Sequence, residues 1–320
     1  MEENKNQWIK LKEKIKKIKE KTKINKHIQN LYNKYGYGYD EKNDANLLME
    51  LRYYNMQQTN PFFATGQNGY FHEQIMSNGL GKFKLNKEDA EDARFISKCF
   101  GKNIAYGDNN IPITYTTLLG SSEFNYGTET FPAGIMEDVF QCDANHVLPI
   151  QPFVGESEED FYLRLLEFQI DSYEDFNEKN RNEVLERGKR LIHNFSNHKN
   201  VIYLIKLNDI KKMKASFGDV SGLRDGKLSN EESIKIINEI PSLEQLLSSF
   251  SIDINSPLLF FDNPNLEGEY GVALYGTIPT EKIQFIEVER KYAMQQKKAI
   301  DLGYKPGDII PDHFEAANYK

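Results

Sequence analysis

The chain has 320 residues, of which 39% are hydrophobic and 12% aromatic. This is enough apolar material for a packed core, so a wholly disordered chain is excluded. Its net charge is −8, which argues against a general nucleic-acid-binding protein, because phosphate contacts need a concentrated basic surface. Two cysteines, Cys99 and Cys142, are too few for a disulfide framework, and we expect them to be reduced thiols in a cytosolic protein.

The first 31 residues are basic, with ten lysines against four glutamates, whereas the rest of the chain is acidic. Trp8, Leu11, Ile15 and Ile18 form an apolar stripe at helical spacing, so we predict one long helix over residues 6–35. The stripe packs on its own domain, or residues 5–31 dock on a partner or an anionic membrane surface.

No stretch of 18 apolar residues is found, so no transmembrane segment is expected. The N-terminal residues lack the apolar region and the cleavage site of a conventional signal peptide. We therefore expect a cytoplasmic protein, or an effector that is secreted without such a signal.

The stretch "YGYGYDEKN" ends the first helix at Gly36 and Gly38, and such glycines indicate a boundary. We predict a helical extension over residues 1–45, a main domain over 46–290 and a C-terminal tail over 291–320.

Within the main domain, "LRYYNMQQ" is predicted to be a strand. "GQNGYFHEQIMSNGLG" predicts a short helix stopped by Asn78-Gly79, and "KEDAEDARFISKCFG" predicts another helix closed by a glycine. "IPITYTTLLG" is rich in β-branched residues and predicts a strand.

Residues 156–196 are predicted to be helical, with Ser157 as an N-cap. "NVIYLIKL" predicts a buried strand, and "ESIKIINEIPSLEQLLSSF" returns to helix. "SPLLFFD", "YGVALYG" and "KIQFIEVE" predict three further strands. This order of helices and strands favours the α+β class.

Several familiar motifs are excluded. "SGLRDGKLSNEE" has Ser221 and Leu223 where a calcium loop places its first oxygen ligands. His193 and His198 are five residues apart, which does not suit a helical zinc pair. No phosphate-binding glycine loop and no "GxSxG" elbow occurs. We expect no metal cofactor, and Cys142 near His146 is a weak candidate for a hydrolytic nucleophile.

Glu267 and Glu269 stand two residues apart in "NLEGEYGVALYGTIPTEKIQFIEVE", where a loop leads into a strand. Residues at this spacing in a strand point to the same face. Their mutual repulsion would separate their pKa values, which suits hydrogen-bonding or general-base work. An exposed acidic turn is the alternative interpretation.

The segment "EGEYGVALYGTIPTEKIQFIEV" resembles the last strands of mono-ADP-ribosyltransferase-like domains, in which a glutamate, often within E-x-E, opens a strand. "LRYYNMQQTNPFFATGQNGYFHEQIMSNGLG" is similar to the family's opening, a strand with an Arg or His followed by a helix ending near "I-x-x-x-G-L". "ITYTTLLGSS" is similar to its middle strand, although "YTT" stands where a Ser-Thr-Ser triplet is typical. The resemblance covers residues 46–290 and implies a split β-sheet flanked by helices.

The resemblance implies a role for each matching residue. Glu269 takes the catalytic position, Glu267 the upstream acid, and Thr116, or Thr117 beside it, the hydroxyl position. Arg52 is the first-strand arginine, with His72 as the alternative for a His-type site and Tyr115 as its aromatic partner. Aromatic residues near the cleft would stack on nicotinamide, and these are Tyr53, Tyr54, Phe62, Phe63 and Tyr126.

The function implied is transfer of ADP-ribose from NAD⁺ to a macromolecule, as bacterial toxins and effectors do. The carboxylate of Glu269 would stabilise the positive charge that develops on the ribose. Arg52 would bind the pyrophosphate and a threonine would hold the glutamate. We expect a protein acceptor rather than a nucleic acid. The alternative is a non-enzymatic interaction protein that docks through its basic N-terminal helix.

Overall fold

The computed structural model describes residues 23–101, 112–121, 151–217, 223, 228–253 and 271–311. Among these residues, helices surround one β-sheet, so the predicted α+β class is confirmed. The strand predicted at "SPLLFFD" lies outside the described residues, as does the N-terminal stripe from Trp8 to Ile18.

The described strands form one antiparallel sheet in the order β4-β5-β2-β1-β3-β6. The strands are β1 (Phe62–Asn68), β2 (Ile113–Leu118), β3 (Asn200–Lys206), β4 (Lys214–Phe217), β5 (Val272–Tyr275) and β6 (Ile283–Val288). The strands predicted from "IPITYTTLLG", "NVIYLIKL", "YGVALYG" and "KIQFIEVE" are confirmed as β2, β3, β5 and β6.

The helices of the first half are α1 (Lys26–Tyr35), α2 (Glu41–Met56), α3 (His72–Asn78), α4 (Lys87–Cys99), α5 (Glu158–Ser172) and α6 (Arg181–Ser196). Those of the second half are α7 (Leu207–Ile210), α8 (Asn230–Glu239), α9 (Leu243–Ser249) and α10 (Lys291–Asp301). The helices predicted before Gly79 and before Gly101 are confirmed, and the helical region predicted over residues 156–196 consists of two helices, α5 and α6, separated by residues 173–180. Ser157 caps α5 by accepting from the Asp160 N–H.

The segment "LRYYNMQQ" was predicted as a strand, and this prediction is wrong. It belongs to α2, which Asp40 caps by accepting from the Asn43 N–H, and which buries Leu47, Leu51 and Asn55 at helical spacing. The first strand of the sheet instead comes after Pro61, at "FFATGQN". Because α2 begins at Glu41, the expected boundary after residue 45 falls inside a helix.

Two apolar clusters cover the two faces of the sheet. On the first face, α3 and α9 pack over the sheet; this cluster includes Phe63, Ile75, Tyr203, Leu247 and Phe285. On the second face, α1 and α2 cover β1, β3 and β6; this cluster includes Ile28, Leu51, Ala64, Ile202 and Ile286. Alternate residues of β1, β3 and β6 enter opposite clusters, as the two-residue period of a strand requires.

The predicted single helix over residues 6–35 is interrupted. Ile24 pairs with Phe285 of β6 in a parallel bridge, and Asn25 caps α1 by accepting from the Ile28 N–H. Gly36, at φ +67°, then ends α1 as the sequence predicts. Residues 23–35 are therefore part of the sheet's own packing.

A side chain of α1 closes the exposed edge of β6. The Gln29 amide donates to the Glu287 carbonyl oxygen at 2.7 Å and accepts from the Glu287 N–H at 2.9 Å. It therefore satisfies the strand edge as a neighbouring strand would.

Helices α4, α5 and α6 form a separate apolar cluster beside the sheet, which includes Ile96, Phe100, Leu166 and Leu191. The contact of α4 with α6 includes a buried carboxylate. Asp92 accepts from Arg187 at 2.9 Å and from two nitrogens of Arg190 at 3.0 Å each. Both partners are more exposed than Asp92.

The predicted C-terminal tail contains α10, which buries Met294 and Ala299. Beyond it, residues 307–310 form backbone hydrogen bonds with residues 152–154, just before α5. The described part of the tail is thus tied to the segment that leads into α5.

We predict that Asp92→Asn lowers the free energy of unfolding by about 1–3 kcal/mol, because it leaves two guanidinium groups beside a neutral amide. The matched control is Asp171→Asn, which breaks the exposed ion pair with Arg181 and should lower the free energy of unfolding less than Asp92→Asn does, because water screens the pair. Urea unfolding of both variants measures the difference. Equal losses would contradict a structural role for the Asp92 cluster.

Candidate active site

The sheet opens between its two central strands. The β1–β2 ladder contains Phe63 opposite Leu118 and Ala64 opposite Thr117, and it stops there. Within the described strands, β1 beyond this point is paired only with β3, and the first half of β2 is paired only with β5. We call residues 65–68 of β1 and 113–116 of β2 the open stretch. Among the described strands, the backbone groups on the two sides of this stretch are not shared in a ladder.

Threonines concentrate at this opening. Thr65, Thr114 and Thr116 are all buried, and by strand alternation they share the first face of the sheet. Among the described residues, the Thr114 hydroxyl has no hydrogen-bond partner. Burying an unpaired hydroxyl costs free energy.

Thr116, predicted to supply the hydroxyl, lies on β2 opposite Val272, the first residue of β5. Its Oγ1 donates to the Val272 carbonyl oxygen at 3.2 Å. The hydroxyl thus lies at the start of β5. Thr117 points to the opposite face, and within the described part of the chain its buried hydroxyl has no partner.

Glu267 and Glu269 lie outside the described residues, as do Tyr126, Cys142 and His146. In the sequence, Glu269 stands three residues before Val272. The strand predicted to follow the acid pair is confirmed as β5.

Arg52 and Tyr54 do not lie on the first strand, because both belong to α2. Tyr54 stacks on His27 of α1, with ring centroids 4.3 Å apart. Arg52 lies against the turn that follows β2, where a Cβ on Gly120 would come within 2.5 Å of its backbone. Assigning Arg52 to the first strand is therefore wrong.

His72 begins the short helix α3, next to β3 and β6. Its Nδ1 lies 3.0 Å from the hydroxyl of Tyr203, and its ring meets Phe285 edge-on. Tyr203 is fully buried, and burial raises the pKa of its hydroxyl. Since β1 separates β3 from β2, His72 is placed to support the first-face core.

The short helix and its "NGLG" end are joined to the segment after β5. Leu80 and Ile278 exchange two backbone hydrogen bonds of 3.0 Å each. Gly79 has φ +92°, and a Cβ there would lie 2.6 Å from the Ile278 carbonyl oxygen, so this turn requires glycine. The three segments that carry the family resemblance therefore meet around β2.

Sequence reasoning missed Thr65 because β1 was not recognised. The signal was present: Pro61 follows α2 and precedes two phenylalanines, an arrangement typical of a strand start. Because the preceding segment "LRYYNMQQ" is predicted as the first strand, "FFATGQN" is not predicted as one.

A separate cleft of about 270 Å³ lies between α1, the end of β6 and α10. Tyr32, Tyr37, Glu289 and Lys297 are among the residues that line it. None of the residues predicted for the site is among them.

Within the described ranges, no group of three or more His, Cys, Asp or Glu side chains could hold a metal ion. In the same part of the chain, no helix has the length and apolarity needed to cross a membrane.

Comparison of the chain with family models, with curated proteins and with solved structures finds no match.

The two adjacent threonines give a matched test of the site. We predict that Thr116→Val lowers the free energy of unfolding by about 1 kcal/mol, because it removes a buried hydrogen bond. Thr117→Val should be neutral or stabilising, because it replaces an unpaired buried hydroxyl with a methyl group. Urea unfolding measures both, and equal destabilisation would contradict the different roles of the two hydroxyls.

Proposed function

We propose that this chain is an NAD⁺-dependent mono-ADP-ribosyltransferase. The observation that supports the proposal is the meeting of three segments around β2. The pairing of β2 with both β1 and β5, and the bridge from Leu80 to Ile278, bring together the segments that the family resemblance joins. The opening between β1 and β2 fits the split sheet that the resemblance implies.

In the proposed reaction, the bond between the ribose carbon and the nicotinamide nitrogen breaks, and its electron pair leaves with nicotinamide. A nucleophile on the acceptor donates a lone pair to the same carbon and gives up its proton. Positive charge develops on the ribose in the transition state, so a fixed carboxylate that hydrogen-bonds the 2′-hydroxyl stabilises it more than the ground state.

We assign this carboxylate to Glu269, and we assign orientation and deprotonation of the acceptor to Glu267. Thr116 is proposed to position the start of β5, since its hydroxyl already donates to Val272. The resemblance implies a functional residue on the first strand. We propose that this position lies in the open stretch of β1, where Thr65 lies, and not at Arg52. The acceptor is proposed to be a protein, because the chain is acidic.

We predict that Glu269→Gln lowers the rate of nicotinamide release from NAD⁺ by about 10²–10³-fold, the usual loss when one electrostatic partner of a transition state is removed. The measurement is chromatographic quantification of nicotinamide, with circular dichroism to confirm folding. Undiminished release by a folded Glu269→Gln protein would contradict the assignment.

The matched control is Glu267→Gln. Because this residue is assigned to the acceptor, its loss should reduce transfer to protein more than hydrolysis of NAD⁺ by water. Equal losses of both activities in the Glu267→Gln protein would contradict separate roles for the two carboxylates.

A truncation separates an enzyme from a docking protein. We predict that deletion of residues 1–22 leaves NAD⁺ hydrolysis within about twofold of the full chain, since the proposed site uses none of them. Deletion of residues 1–31 should instead unfold the protein, because it removes the fully buried Ile28 and the edge-closing Gln29. Loss of NAD⁺ turnover in the folded shorter deletion would contradict the prediction.

A further inference from the structure

Asn55, near the end of α2, joins the two central strands of the sheet. Its side chain is fully buried. Its Nδ2 donates to the carbonyl oxygens of Phe62 and Leu119, both at 3.0 Å, and its Oδ1 accepts from the Phe62 N–H at 2.7 Å. Both amide donors are therefore satisfied, each by a backbone carbonyl of a different strand segment.

These partners lie at the closed end of the opening. Phe62 is the first residue of β1, Leu119 directly follows β2, and the Leu119 N–H donates to the Phe62 carbonyl oxygen at 3.0 Å. The strand ladder adds only two residue pairs before the strands part. Since so short a ladder constrains the strands weakly, the bonds of Asn55 are a large share of what fixes their angle.

The helix that carries Asn55 is itself held tightly. Leu47 and Leu51 anchor α2 in the second-face core. Gly120, at φ +91°, follows β2 and would place a Cβ within 2.5 Å of Arg52. The backbone of α2 therefore contacts the end of β2 so closely that only glycine fits.

We propose that Asn55 is a positioning residue that fixes the separation of β1 and β2 across the opening. It thereby sets the distance between Thr65 on β1 and Thr116 on β2, residues that the closed ladder would bring opposite each other. As a statement about NAD⁺ binding, the proposal rests on the proposed function. As a statement about the sheet, it stands on the contacts of Asn55 alone.

Two variants test the proposal. Asn55→Asp keeps an oxygen that accepts from Phe62 but directs a carboxylate oxygen at two carbonyl oxygens. Asn55→Ser removes most of the side chain without adding charge. It is the variant to measure if Asn55→Asp does not fold. The control for lost stability alone is Asp92→Asn, whose contacts lie between α4 and α6.

The first measurement is amide hydrogen exchange followed by NMR. In the Asn55 variants, we expect the Leu119 amide to exchange at least about tenfold faster than in Asp92→Asn, because local opening releases only the β1–β2 junction. The amides of Ile202 and Leu204, which lie on β3 opposite Ile286 and Gln284 of β6, should change equally in all variants. If amide exchange in the Asn55 variants were faster by the same factor at all these amides, and by the same factor as in Asp92→Asn, the proposal would be overturned.

The second measurement is the kinetics of NAD⁺ hydrolysis. We expect the Asn55 variants to raise the KM for NAD⁺ at least about tenfold and to change kcat less than about threefold, because a widened opening mainly weakens binding. Unchanged KM in an active Asn55→Ser protein would overturn the role in binding.

The two measurements separate the two proposals. A wild-type chain that neither binds nor hydrolyses NAD⁺ overturns the proposed function, and the exchange of Leu119 still decides whether Asn55 holds the strands. A wild-type chain that hydrolyses NAD⁺, with uniform exchange in the variants, overturns the role of Asn55 alone.

Discussion

The architecture depends on how the chain joins two pieces of sheet through a very short ladder. A strand pair normally shares hydrogen bonds along its length, and a ladder of two residue pairs leaves the rest of each strand to another partner. The carboxamide of Asn55 bonds both pieces at this point. Because its donors reach Phe62 and Leu119 together, the relative position of β1 and β2 follows from the position of one helix.

Unlike the opening at its centre, the outer edges of the sheet are closed by hydrogen bonds. At β6, Gln29 and Ile24 satisfy the strand edge. At β4, the Ala215 N–H donates to the Pro241 carbonyl oxygen at 2.9 Å. These contacts close the edges against pairing with other chains. Among the described strands, the backbone groups that the ladders leave unpaired are thus concentrated in the centre, next to buried threonines.

Much of the fold could be predicted from the sequence because many signals were local. Ser157 before an acidic turn, Asn78-Gly79 after a short helix and the apolar run of "NVIYLIKL" each determine their element through nearby residues. The error at "LRYYNMQQ" has a different origin. Tyrosines favour strands, but burial of Leu47 and Leu51 on one side of a capped helix outweighs that preference.

The candidate site was harder to predict for the same reason. Thr116 was found because its strand is recognisable locally, whereas Thr65 becomes important only through the opening between β1 and β2. That opening depends on Asn55, ten residues earlier, and on Leu119, more than fifty residues later. The residue pattern within a single segment cannot predict a hydrogen bond between residues so far apart in sequence.

The buried hydroxyls connect the fold to its proposed use. An apolar sheet gains nothing from Thr114, whose hydroxyl lacks a partner among the described residues, and a valine would pack there with less loss. Thr116, by contrast, bonds the first residue of β5 and so fixes the strand that follows the acid pair. In the proposed function, a ligand that hydrogen-bonds in the opening would satisfy groups that have no partner among the described residues. The hydrogen bonds of the ligand would therefore offset the free-energy cost of burying these groups on folding.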